Sequence, residues 1–321
     1  MAVRPLLAGA LAGLVLLATA CGGDDDESSA TTAATAAATT TTIGAPSTST
    51  AGAGTGTAAD AAVPSRIVSL SATATEMLFA IGAGDQVVAV DDQSNYPAEA
   101  AAKMTDLSGY TPNVEAIAGY DPDLVVISGD DKLKSQLEGL GLKVWVGTSA
   151  TTFDDSYTQI EQLGAATGHV AEAAELVGQM KTDLDALAKD VPTSETPLAV
   201  FHELDDTGYA AGSNTFIGQV YEMFGLSNIA DAADDPSGFP QLSKEAIIDA
   251  DPDLIFLADT KCCGQSLETL QARPGWADIT AVKDGHVFAM DDDIASRWGP
   301  RVVDYAREVH DALQQVAVPT G

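Results

Sequence analysis

The chain has 321 residues, enough for one large domain or two lobes, and 45% of them are hydrophobic, enough to bury a sizeable core. Acidic residues outnumber basic ones 47 to 15, for a formal net charge of −32. Phosphate contacts need clustered Lys and Arg, so neither a nucleic-acid partner nor electrostatic attachment to anionic lipid is expected. Three cysteines exclude a disulfide-stapled scaffold, and four dispersed histidines argue against a His-built metal site.

In chain order, residues 1–20 read as an export signal. Arg4 supplies the basic start, and Leu6 to Ala18 is an apolar run too short to span a membrane. Ala18-Thr19-Ala20-Cys21 resembles the lipobox of bacterial lipoproteins. That resemblance implies that Cys21 becomes a lipidated N-terminus, holding the protein on the outer face of the cytoplasmic membrane. The alternative is an ordinary secretory signal with Cys21 incidental. Residues 21–63 read as a disordered tether: Asp24, Asp25, Asp26 and Glu27, then Ser, Thr, Ala and Gly, without the apolar residues that offset ordering entropy.

From Arg66 onward strands and helices alternate. Arg66 to Leu70 reads as a buried strand, Thr73-x-x-Glu76 as a capping box, and Met77 to Ile81 as a helix closing on Gly82. Further strands are predicted at Gln86 to Val90, Leu124 to Ser128 and Leu142 to Val146. Such alternation implies a mostly parallel sheet with helices on its faces. Two segments then repeat: Asn113 to Val125 and Ser243 to Ile255 match at a constant offset of 130 residues, each a short capped helix, an Asp-Pro-Asp stop and a buried strand. The fold class is therefore α/β with two similar lobes, residues 64–153 and 197–321, around a ligand cleft. Residues 154–196 form the connector, read as one long helix over Ala171 to Lys189 after early breaks at Gly164 and Gly168.

The order of Ile67-Val68-Ser69-Leu70-Ser71, Thr75-Glu76, Gly82-x-Gly84-Asp85, Asn95-Tyr96-Pro97, the Glu115 and Glu245 segments and Ser296-Arg297-x-Gly299-Pro300-Arg301 resembles one bacterial family. It comprises the substrate-binding proteins of ABC importers for cobalamin and ferric siderophores. The resemblance implies two Rossmann-like lobes joined by a long helix, capture of an iron-siderophore or cobalamin-type chelate, and delivery to a permease and its ATPase subunits. It also implies that Glu115 and Glu245 dock on permease arginines, one per lobe; the alternative is that acids in a first helical turn only complement the dipole.

Ligand-contact candidates are Tyr96 on a rim loop, Tyr110 five residues before Glu115, and Phe239 six before Glu245, where similar cobalamin binders often carry Trp. Arg297 and Trp298 belong to the densest cationic-aromatic group of the chain; the planar fork of Arg297 suits an anion- or chelate-facing role, while Arg301 is expected to pair with a nearby acid. Cys262-Cys263 reads as a loop feature at the cleft edge, either a vicinal disulfide or two thiols. No catalytic residue, cofactor or resident metal is expected, and the protein is expected to act as a monomer. The competing readings are a receptor for a bare metal ion or haem, and an enzyme on the same fold, although no Gly-x-Ser-x-Gly, P-loop or His-Glu-x-x-His motif is present.

Overall fold

The computed structural model describes residues 62–191 and 196–317. The predicted signal segment, Cys21 and nearly all of the tether lie outside the described residues. The described residues all belong to one compact unit.

The first half runs β1 (Ile67–Leu70), α1 (Ala72–Ala80), β2 (Val87–Val90), α2 (Ala98–Ala101), α3 (Val114–Ala118), β3 (Leu124–Ser128), α4 (Asp131–Gly139) and β4 (Val144–Gly147). Two helices follow, α5 (Phe153–Thr167) and α6 (Val170–Lys189). The second half runs β5 (Ala199–Glu203), α7 (Phe216–Met223), β6 (Ser227–Asn228), α8 (Lys244–Ala250), β7 (Leu254–Leu257), α9 (Thr260–Cys263), α10 (Leu267–Ala272), α11 (Thr280–Asp284), β8 (Val287–Ala289), α12 (Asp292–Ser296) and α13 (Val302–Ala317).

Every strand pairing is parallel, and the sheets have the same order, β2-β1-β3-β4 and β6-β5-β7-β8. The 130-residue repeat is thus a repeat of architecture. Asn113 caps α3 by accepting from the Ala116 N–H, and Ser243 caps α8 by accepting from Ala246. Asp121 and Asp251, each just before a proline, leave those helices in the left-handed region with φ of 51° and 45°. Asp123 then accepts from the backbone of Ser65 and Arg66 before β1, as Asp253 accepts from Ala199 at the start of β5. The Asp-Pro-Asp motif is therefore a strand-alignment device as well as a helix stop.

Both faces of each sheet are covered, which is why the strands read as continuous apolar runs. Val125 and Ile127 face one outer layer with Val68 and Ile117, and Ile255 and Leu257 face the other with Phe201 and Trp276. Leu124, Val126, Leu254 and Phe256 turn to a single central core that includes Met77, Ile160, Met180, Val220 and Val309. That core is continuous across both halves. Within it Tyr305 donates to Tyr221, whose hydroxyl lies 2.6 Å from His202 Nδ1, and burial pulls the His202 pKa down to about 3.

Two local expectations are corrected. The cap of α1 is Ser71, which accepts from Ala74; the helix starts before Thr73, and Glu76 lies inside it rather than in a capping box. Gly164 does not break the connector but sits within α5, where a Cβ would come within 2.5 Å of Ala173 Cβ and 2.9 Å of the His169 carbonyl oxygen. The glycine lets α5 and α6 touch; the chain breaks at Gly168 instead.

Candidate functional site

Open parallel sheets bind ligands beyond the carboxyl ends of their strands, where the strand order reverses. In the first half that point lies between β1 and β3. There Leu70, Ser71, Asp91 and Ser128 line a cavity of about 460 Å³. Its opposite wall comes from the second half: Asp292, Asp293 and Ser296 of α12, then Arg297 and Trp298. Gly109 completes the first wall, and a Cβ there would come within 2.8 Å of both Asp91 Oδ2 and the Leu70 carbonyl. The tight loop it permits carries Tyr110 to the rim. Asp91 is fixed by a 2.6 Å bond from Ser94 Oγ, and burial raises its pKa.

Tyr110, Arg297 and Trp298 therefore share one cavity, and Tyr110 is 83% exposed. Tyr96 lies outside the cavity lining and is 46% exposed; its ring lies 4.3 Å beneath the Arg301 guanidinium. Phe239, 41% exposed, lies on a separate second-half segment beside Pro240, whose carbonyl accepts from Ala210. Trp298 donates from Nε1 to Gln159 Oε1 at 3.1 Å and packs edge-on to Phe216. Glu115 and Glu245 are both exposed in the first turns of α3 and α8. A crossover helix feeding a parallel strand starts at the carboxyl edge of the sheet, so each glutamate stands on the cavity-side edge of its half.

Arg297 is only 6% exposed, and its guanidinium is already engaged. It donates to Glu76 Oε1, Asn95 Oδ1 and Asp293 Oδ1 at 2.8 Å each, and to the Gln93 carbonyl at 3.0 Å. Arg301 donates from Nε to Glu76 Oε2 at 2.8 Å and from Nη2 to Glu76 Oε1. Glu76, 2% exposed, is thus the acceptor of two guanidiniums from the other half of the chain. Sequence reasoning missed this role by assigning Glu76 to a cap. The available signals were a carboxylate amid the apolar run of α1 and two arginines four apart in an acidic chain.

The carboxyl end of the second sheet holds a different cluster. Arg273 grips Glu203 through two bonds of 2.6 Å, and Asp259 is fully buried with no hydrogen-bond partner on either carboxylate oxygen. Burial, and then the Glu203 carboxylate, push the Asp259 pKa up to about 7. A raised acid pKa means that folding favours the neutral form, so stability is lost as pH rises from the unfolded value toward and through 7. Asp259→Asn is expected to stabilise the protein by roughly 2–3 kcal/mol at pH 8 and to be nearly neutral at pH 4, read from urea midpoints at the two pH values. A gain of the same size at both would disprove the assignment.

Among the described residues no three His, Cys, Asp or Glu side chains form a group that could hold a metal ion, and no helix is long and apolar enough to cross a membrane. Cys262 and Cys263 form a disulfide on α9.

The family described as "Periplasmic binding protein" matches residues 67–294. The uncharacterized ABC transporter substrate-binding lipoprotein YvrC of Bacillus subtilis is 32% identical over 259 residues, covering 78% of this chain and 80% of the relative. A cobalamin-binding protein of Halobacterium salinarum is 30% identical over 263 residues, 79% of this chain and 71% of the relative. Among solved structures, the apo periplasmic heme-binding protein RhuT from Roseiflexus is similar with a TM-score of 0.70 and 26% identity, covering 79% of this chain and 99% of that one. Matched over most of its described length, the chain belongs to the periplasmic binding protein family.

Proposed function

We propose that the protein is the extracytoplasmic substrate-binding protein of an ABC importer, capturing a metal chelate of the corrinoid, haem or ferric-siderophore class. The observation that carries this reading is the cavity at the first sheet's switch point, walled by both halves, with the Tyr110 ring open to solvent above it. Cobalamin and haem, named for the relatives, are flat metal macrocycles, and an exposed aromatic ring offers such a face an offset stack. Trp298 supplies a second aromatic edge. Arg297 spends its four Nη–H donors on Glu76, Asn95, Gln93 and Asp293, so its part at the ligand is to hold the cavity wall in shape rather than to pair with an anionic substituent. Tyr96 and Phe239 act as outer aromatic contacts, one from each half.

In this reading Glu115 and Glu245 dock on the permease, whose ATPase subunits drive uptake. Cys21 carries the lipid that holds the protein on the outer face of the cytoplasmic membrane. The protein works as a monomer and performs no catalysis. Titration calorimetry with cyanocobalamin, haemin and a ferric hydroxamate is the direct test. At least one is expected to bind with 1:1 stoichiometry, and Tyr110→Ala to weaken that chelate about tenfold, ~1.4 kcal/mol. Failure of all three to bind would overturn the reading.

A further inference from the structure

The two halves differ where β3 and β7 end. In the first half the next helix is α4, nine residues long and capped locally: Asp130 accepts from the backbone of Lys132 and Leu133. At the 130-residue offset the second half places the four-residue α9, which ends in the Cys262–Cys263 disulfide. Its cap comes from a distant element. The Asp292 carboxylate accepts from Thr260 N–H and Oγ1 at 3.0 and 2.9 Å, from Lys261 N–H at 3.0 Å and from Cys262 N–H at 3.0 Å. Lys261 Nζ reaches Asp291 at 2.6 Å and Asp293 at 3.3 Å. Asp293 in turn accepts from Arg297 and, across the cleft, from Asn95 Nδ2 at 3.1 Å. Asp292, Asp293 and Arg297 all line the cavity. One hydrogen bond thus separates the disulfide-bearing turn from the cavity wall.

A bridge between sequence neighbours closes almost no chain, so it removes little entropy from the unfolded state and is a poor global staple. Both cysteines are exposed, so a small thiol has access to them. We infer that Cys262–Cys263 is a thiol–disulfide exchange site whose redox state sets the order of the α12 wall of the cleft. A dithiol reductant supplies two electrons and two protons. Its thiolate attacks one cysteine sulfur, the cystine bond breaks as a mixed disulfide forms, and the second reductant thiol displaces that intermediate. Two cysteine thiols and a cyclic reductant disulfide result. Opening the bridge frees the short turn, and with it the backbone donors and the Lys261 ammonium that hold Asp292 and Asp293.

The consequence for cargo rests on the chelate-receptor reading; the coupling of bridge to wall does not. The test is hydrogen-exchange mass spectrometry on the full protein, oxidised and after dithiothreitol, followed by cyanocobalamin titration of both forms. Reduction is expected to speed amide exchange about tenfold both in the turn at 260–263 and in the wall at 293–297. Cys262→Ser/Cys263→Ser is expected to show the fast pattern without reductant and no response to it. Asp292→Ala is expected to keep the response in the turn and lose it in the wall. Identical exchange at 293–297 in the oxidised and reduced proteins overturns the inference. Absence of cyanocobalamin binding in both forms, with the exchange difference present, counts against the choice of cargo and supports the coupling.

Discussion

Replacing Glu115 and Glu245 together by lysine is expected to abolish uptake while leaving chelate affinity within about twofold of the original. Both side chains are exposed, both occupy the first turn of equivalent helices, and both stand on the cavity-side edge of their halves. Charge pairs across a docked interface couple by about 1.5 kcal/mol or more each, so two reversals remove roughly 3 kcal/mol, over a hundredfold in docking affinity. Loss of the favourable helix-dipole interaction costs the fold itself only about 0.3–1 kcal/mol per site. Uptake of labelled chelate by cells whose sole receptor is the variant, set beside binding by the purified variant, separates the outcomes. Collapse of binding would make the glutamates structural, and unimpaired uptake would remove them from the docking surface. Single reversals are expected to give partial uptake.

Glu76→Ala is the change expected to harm the fold most, by about 3–5 kcal/mol. It leaves the Arg297 and Arg301 guanidiniums buried with their shared acceptor gone, and an unpaired buried charge costs more than the intact pair contributes. Glu76→Gln keeps the volume and one acceptor oxygen, so a smaller loss is expected. Urea midpoints measure both, and a loss below about 1 kcal/mol for the alanine variant would show that the arginines find other partners. Because Glu76 comes from the first half and both arginines from the second, the glutamine variant is also expected to weaken chelate binding through a less ordered Arg297.

The architecture was legible because it repeats. Asn113 to Val125 and Ser243 to Ile255 carry their caps, stops and strands in local order, and local order is what hydrophobic periodicity and turn chemistry record. Tyr110 is a candidate because it lies five residues before Glu115, and Arg297 and Trp298 because they belong to the densest cationic-aromatic group of an acidic chain. The partners of Arg297 were not legible. Glu76 lies 221 residues away, and although its place amid the apolar run of α1 marks it as buried, no local pattern names the arginines that it meets. Asp259 was equally hidden, since an aspartate after a strand reads as a turn residue until burial strips it of water. Gly164 misled for the opposite reason: its cause is the neighbouring helix, while glycine is ordinarily read as backbone punctuation.

The uninterrupted central core has a mechanical meaning. Jaws that swing apart need a dry seam they can expose, and here such a swing would bring Leu124, Val126, Leu254 and Phe256 toward water together with the helices wedged between them. A core shared by both halves makes a wide swing costly, so in the chelate-receptor reading the release of cargo is work for the permease rather than for a hinge.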